Sequence, residues 1–227
     1  MTIGRAVLLV GSAKPSGTST SESLGRYLLN RIADRGVVTT VLHVNRSAAG
    51  HDDDRLVAAL AQANLFIVAT PLYVDSLPYL VTRTFESLAR LGPSVRDQPC
   101  AFVALVNCGF PEAEHCATAL EIARAFARRA GFVWAGGFAL GEGGAIDGRS
   151  LEDCRGLARH LRHALDVSAA ALADGLPVPD TERAAFAHPL MPARLYTLTG
   201  DFGWRLRARR NGVRSQLRAR PLTSARD

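Results

Sequence analysis

Over its first 175 residues the chain alternates short, continuously apolar runs with longer stretches whose apolar residues recur every three or four positions. Residues 5–10 (RAVLLV) are such a run, ended by Gly11, as expected of a strand buried on both faces. Leu24, Tyr27, Leu28 and Ile32 then repeat at helical spacing, and Gly36 closes that helix. Further strands are expected over residues 37–44, 65–69, 101–106 and 132–140. Between them lie helical stripes with Leu56, Leu60 and Ala63, then Val81, Phe85 and Leu88, then Leu120, Ala123, Phe126 and Ala127. A long fifth helix is expected from Leu151 to Leu172. Five βα units in regular order predict an α/β protein with an open parallel sheet and helices on both faces. Ligands of such sheets sit beyond the carboxyl ends of the strands, where strand order reverses. The loops after strands one, three and four are therefore where function is sought.

At 227 residues the chain has room for one sizeable domain and an appendage. Residues 1–175 read as the domain. Residues 176–227 read as a Pro-containing linker, with Pro177, Pro179, Pro189 and Pro192, followed by a basic extension. No run approaches the ~20 apolar residues of a membrane span. The apolar run at the N-terminus is too short for a signal peptide, so a cytoplasmic protein is expected. Cys100, Cys108, Cys116 and Cys154 form no CxxC pair, which disfavours a zinc ribbon, an iron–sulfur cluster or a disulfide scaffold. The net charge of +6 is a property of the tail. From Leu190 onward nine arginines face two aspartates, and the body before it is close to neutral.

After strand one come Gly11, Ser12, Ala13, Lys14, Pro15, Ser16, Gly17, Thr18, Ser19, Thr20 and Ser21, leading into a helix. Small and hydroxylated residues let backbone N–H groups converge on an anion at a helix N-terminus, and Lys14 adds positive charge. The spacing is neither that of a Walker A loop nor GxGxxG, which disfavours an ATPase and a dinucleotide site. A Ser/Thr-rich loop with an ordinary N-cap at Ser19 or Ser21 is the plainer alternative. After strand three, Thr70, Pro71, Leu72, Tyr73, Val74, Asp75, Ser76, Leu77 and Pro78 offer an aromatic ring and backbone amides. In a sheet of order 2-1-3-4-5 they lie beside the first loop. Asn107, Cys108, Gly109, Phe110, Pro111 and Glu112 form a third wall, with Gly109 allowing close backbone approach.

Taken together, these loops resemble those of the flavodoxin-like NAD(P)H-dependent FMN reductases. Gly11-Ser12-Ala13-Lys14 matches that family's Gly-Ser-Pro-Arg/Lys motif with Ala for Pro, and Ser19-Thr20-Ser21 matches its second half. Thr70-Pro71-Leu72-Tyr73 with Ser76-Leu77-Pro78 matches its second motif, with Leu for Met, and the loop at Asn107 resembles that of a subset. The resemblance spans roughly residues 3–150 and implies a flavodoxin-like fold and FMN as cofactor. NADPH or NADH would be the electron donor, and a flavin, quinone or other small molecule the acceptor. It implies that Ser12, Lys14, Ser19, Thr20 and Ser21 hold the phosphate. Pro71, Leu72, Tyr73, Val74 and Asp75 would hold the ring edge, and Asn107, Cys108 and Gly109 the pyrimidine side. No catalytic side chain is expected, because the cofactor carries the chemistry. A flavodoxin-type electron carrier is the competing reading. Carriers of that kind are usually acidic and end after the fifth helix, unlike this chain.

Other residues invite functional readings that plainer ones outweigh. His51 with Asp52, Asp53 and Asp54 has metal-ligand residue types, but carboxylates before an amphipathic helix usually cap it. Glu112, Glu114 and His115 open the fourth helix, beside the third loop. The stretch from Gly141 to Ala145 is read as a flexible turn away from the switch point. In the tail, Phe202, Leu206, Arg210, Val213 and Leu217 suggest one face of a basic segment interrupted by Gly212. Docking of that tail on the body or on a second subunit, as in a homo-oligomer, is favoured over contact with nucleic acid or a membrane.

Overall fold

The structure, a computed structural model, describes residues 3–44 and 51–219. Strands β1 (Arg5–Val10), β2 (Val38–His43), β3 (Leu65–Pro71), β4 (Ala101–Asn107) and β5 (Val133–Leu140) form one sheet. All neighbours are parallel, in the order β2-β1-β3-β4-β5. This is the flavodoxin-like arrangement. Strands β3 and β4 are buried along almost their whole length, whereas the edge strand β2 (VTTVLH) has only exposed and half-buried positions.

Each strand supplies two faces, and two sets of helices cover them. Ala6, Leu8 and Val10 of β1 and Leu65, Ile67 and Ala69 of β3 face α1 (Thr20–Ala33) and α5 (Arg159–Ala173). Val7, Leu9, Phe66, Val68, Phe102 and Ala104 face α2 (His51–Ala61), α3 (Tyr79–Leu91) and α4 (Ala117–Ala130). On this second face Phe85 and Phe126 stack at 3.9 Å, and Phe66, Phe102 and Phe132 surround them. Because α2 starts at His51, Asp52, Asp53 and Asp54 belong to its first turn, and the side chains of 51–53 lie outside the described residues.

Two boundaries differ from those expected. Helix α5 starts at Arg159 instead of Leu151, because Arg155 adopts φ +48° and forces a 3₁₀ turn before regular helix begins. More consequentially, the compact unit does not stop at 175 but runs to Leu190. The Val178 N–H bonds the Ala135 carbonyl at 2.8 Å, so the proline segment runs along β5 instead of leaving the domain. Pro179 then caps α6 (Asp180–Phe186), whose Asp180 and Glu182 suit the positive end of its dipole. Phe186 is fully buried against Phe138, with ring centroids 4.9 Å apart. The prolines set the approach to this helix without breaking it, since both precede its first turn.

The second unit, residues 191–227, is described to residue 219, so Arg220 and Arg226 of the basic tail lie outside the described residues. It contains α7 (Ala193–Arg210) and a 3₁₀ turn (Arg214–Gln216). Gly212, at φ +70°, ends the expected face after α7. Leu195, Leu198, Phe202 and Leu206 fall on one stripe of α7, and Trp204 on the opposite side. Among the described residues no helix is long and apolar enough to cross a membrane.

Replacing Phe186 by Ala removes a whole ring from a closed core and is expected to cost about 3–5 kcal/mol. Urea unfolding of Phe186→Ala reads this directly. A loss below about 1 kcal/mol would show that α6 is an ornament on a domain that ends near residue 175.

Candidate functional site

The strand order reverses between β1 and β3, and there the loops after β1, β3, β4 and β5 converge on a cleft of about 180 Å³. Close approach of backbones makes it. A Cβ on Gly11 would stand 2.6 Å from Val81 Cγ2 and 2.8 Å from the Thr70 side chain, so glycine lets β1 pass beneath the β3 loop. The first loop then turns at Pro15, whose carbonyl accepts from both the Thr18 N–H (3.2 Å) and the Thr18 hydroxyl (2.6 Å).

At the start of α1, Ser19 is the N-cap, and its Oγ accepts the Glu22 N–H at 3.1 Å. Glu22 sits three residues later and reaches back in a variation on the capping box. Its Oε2 accepts the Gly17 N–H at 2.7 Å; its Oε1 accepts from Ser16 Oγ at 2.9 Å and Arg26 Nε at 2.7 Å, with His43 Nε2 at 3.2 Å. Burial alone would raise this carboxyl. The donors from Gly17, Arg26, Ser16 and His43 outweigh it and hold Glu22 down to about 2. The loop is thus braced from inside by a buried carboxylate.

Two hydroxyls of the first turn of α1 serve as ties between loops. Thr20 Oγ1 donates to the Gly143 carbonyl at 2.8 Å, and Ser21 Oγ donates to Asn107 Oδ1 at 2.7 Å. Both residues line the cleft with Ser12, Lys14 and Ser19, but their protons are directed into protein. What they offer an anion is the backbone N–H of the first helical turn, which lacks an intrahelical acceptor. Lys14 Nζ lies 3.9 Å from Asp147 across the mouth, an exposed pair of small energetic weight.

The β3 loop is pinned by the Leu72 N–H, which bonds the Asn107 carbonyl at 2.8 Å. Tyr73 and Ser76 pair across a two-residue turn in which Val74 and Asp75 adopt φ +50° and +56°. That conformation is costly for a β-branched residue, and Val74 is 99% exposed. Pro71, Leu72 and Tyr73 line the cleft. Val74 and Asp75 do not, because the left-handed turn projects them outward at its tip. Asn107, Cys108 and Gly109 form the third wall. Beyond them the rings of Phe110 and His115 pack tilted at 33° (centroids 4.4 Å), and the His115 nitrogens lie 3.9 Å from Asp75 and 3.8 Å from Glu112.

The fourth wall is one the motif reading passed over. Gly143, Gly144 and Asp147 line the cleft, so the segment after β5 is a built part of the site and not a free turn. The Gly143 N–H bonds the Cys108 carbonyl at 2.8 Å, and the Glu142 N–H bonds the Phe110 carbonyl. A Cβ on Gly143 would meet the Cys108 carbonyl and Asn107 Nδ2 at 2.9 Å; one on Gly148 would meet the Thr18 backbone at 2.5 Å. The available signal was Gly141, Gly143 and Gly144 at the end of a strand adjacent to β4.

No protein-family model matches the chain, and no curated protein is similar to it in sequence. Solved structures are similar in shape. An NADH:FMN oxidoreductase (EMOB) in its apo form aligns with a TM-score of 0.57 at 18% identity, over 83% of this chain and 96% of that one. RosB with a bound 8-demethyl-8-formylriboflavin-5'-phosphate intermediate gives 0.57 at 15% identity, over 80% and 85%. The fold is flavodoxin-like. An azoreductase from Bacillus anthracis str. Sterne gives 0.51 at 12% identity, over 76% of this chain and all of that one.

The brace makes a pH prediction. Glu22 has its folded-state value depressed from 4.5 to about 2, so its contribution is present above about 4.5 and fades as pH falls toward 2. The difference corresponds to about 3 kcal/mol. Glu22→Gln should therefore be clearly less stable than wild type at neutral pH, with the gap narrowing below 4.5. Denaturant midpoints across that range test this, and a gap independent of pH contradicts it.

Proposed function

We propose that the protein is an FMN-dependent oxidoreductase that takes electrons from NADH or NADPH and delivers them to a small acceptor such as a flavin or quinone. The observation that carries this reading is the cleft at the strand-order reversal. There the N-terminus of α1 and Lys14 line one cleft together with the loops of Tyr73 and Asn107. The residues present fit such a cofactor. Gly11 and Gly143 keep the walls close where a Cβ would intrude, and Thr20 and Ser21, which line the cleft, stand at the positive end of α1, where a phosphate is favoured. The similarity in shape to flavin-handling proteins supports the same choice.

When bound, FMN supplies the two-electron chemistry, accepting hydride from the nicotinamide and passing electrons on. The chain's own contribution is placement. Ser12 accepts the Lys14 N–H at 3.3 Å and so shapes the turn that brings Lys14 to the phosphate end. Leu72 and Asn107, joined through backbone, hold two walls at one spacing, and Ser21 locks Asn107 to α1. The exposed shelf of Phe110 and His115 lies outside these walls, where a second planar reactant can approach.

Adding FMN to the purified chain, then NADH or NADPH without oxygen, tests the proposal. The oxidised-flavin absorbance should be retained on the protein and bleach on adding the nicotinamide. Retention without bleaching would favour an electron carrier, and no retention would refute flavin binding. Lys14→Ala should weaken FMN binding by about 1 kcal/mol, roughly fivefold, and leave riboflavin, which lacks the phosphate, unaffected. Equal effects on both ligands in a binding titration would place Lys14 away from the phosphate.

A further inference from the structure

The second unit presents apolar surface and positive charge together. Along α7, Leu195, Leu198, Phe202 and Leu206 form a stripe about 16 Å long at roughly 1.5 Å per residue. Their relative exposures are 50%, 65%, 70% and 39%, so the stripe is open along its whole length. Val213 and Leu217, beyond Gly212, are exposed as well. The middle of the helix carries Gly200 and Gly203, where an added Cβ would meet nothing within 4 Å. Glycine at both positions weakens a helix that has no core of its own, so α7 gains from any surface that covers the stripe.

Arg194 and Arg205 flank the stripe on one side and Arg210 on the other, and Arg209 stands on the turn after Leu206. With Arg207, Arg214 and Arg218 they make seven exposed arginines, against Asp201 as the one carboxylate of residues 191–219. Among the described residues none of the seven is in an ion pair. A surface that covers the stripe must therefore bring negative charge to its edges. A second α7, laid stripe to stripe, would bring two sets of arginines together. The body, on the same chain or another, holds eighteen Lys and Arg against nineteen Asp and Glu in residues 1–190, so it has no acid excess to match them. A nucleic acid has the phosphates, but its bases stack on aromatic rings and guanidinium planes, and three of the four stripe residues are leucines. A bilayer of anionic lipid has phosphates at its surface and hydrocarbon directly beneath. That is the order in which α7 presents its arginine heads and its apolar side chains.

We infer that α7 is a membrane-surface helix that lies along anionic lipid bilayers, with Leu195, Leu198, Phe202 and Leu206 in the outer hydrocarbon and the flanking arginines on lipid phosphates. The helix lies on the bilayer and does not cross it, in keeping with its arginines and with the lack of a spanning helix among the described residues. The sequence alone favours docking of the tail on protein; the arginines set along both edges of an open stripe turn the choice to lipid. The second unit makes this contact by itself and needs no bound cofactor. Its failure would leave the oxidoreductase reading standing, and the reverse also holds.

The experiment mixes the full chain with vesicles of phosphatidylcholine alone, or of phosphatidylcholine with about one third phosphatidylglycerol, and reads bound protein by flotation. The wild type should partition onto the anionic vesicles at least about tenfold more strongly than onto the neutral ones, and added salt should weaken the binding. Replacing Arg205, Arg209 and Arg210 together by Gln should lower that partition on the order of a hundredfold, at roughly fivefold for each arginine. Leu198→Ser with Phe202→Ser keeps every charge and should still cost at least about tenfold. Binding that is indifferent to phosphatidylglycerol, or that survives the Leu198 and Phe202 changes, overturns the inference. So does a wild type that binds a single-stranded DNA oligonucleotide but no vesicle, or one that elutes as a stripe-dependent dimer and does not float. The wild-type comparison of the two vesicle compositions decides the matter even if a variant fails to fold.

Discussion

Burial of β1, β3 and β4 on both faces is the constraint from which the rest of this structure follows. A strand with no solvent-facing side has to be apolar throughout, and its neighbours have to be reached by crossovers that lay helices over each face in turn. Once β2 is placed on one side of β1 and β3 on the other, the loops at their carboxyl ends diverge and leave a crevice. Packing is tight enough that small residues are required where helix and strand cross. At Gly25 of α1 a Cβ would lie 2.8 Å from both Ala69 and a Leu8 methyl. That closeness brings the first turn of α1 within hydrogen-bond reach of the loops after β4 and β5.

The electrostatics of the site rest on an internal carboxylate. A loop suited to an anion is rich in unpaired N–H donors, and such a loop has no reason to keep one shape before the anion arrives. Glu22 takes up the Gly17 N–H and the Ser16 hydroxyl and is itself matched by Arg26 and His43. Part of the donor set is thereby spent on rigidity, which fixes the loop ahead of α1 in one shape. The strained pair Val74 and Asp75 works in the same sense on the opposite wall. The tight turn projects its own tip away and leaves Tyr73 facing the cleft.

Much of this was legible in the order of residues. Runs such as RAVLLV and LFIVAT leave little choice but interior strands, and α1 ends at Ala33, shortly before the Gly36 expected to close it. The loop residues Ser12, Lys14, Tyr73 and Asn107 were recognisable because their position after particular strands carries meaning. Other features were hidden for definite reasons. Four prolines between 177 and 192 mask α6, whose apolar anchor is the single Phe186. The glycines after β5 are indistinguishable from a loose turn until β5 is paired to β4 and Gly143 is seen against Cys108.

Local periodicity, then, determined the elements, their order and the kind of sheet, because those depend on which side chains avoid water along one stretch of chain. Only the tertiary structure decided which hydroxyls are ties between loops, since Thr20 and Ser21 find their acceptors 123 and 86 residues away. The same is true of two of the cysteines. Eight positions apart in sequence, Cys108 and Cys116 come together on one carbonyl of β5, Leu140, which accepts the Cys108 N–H at 2.9 Å and lies 3.8 Å from the Cys116 sulfur.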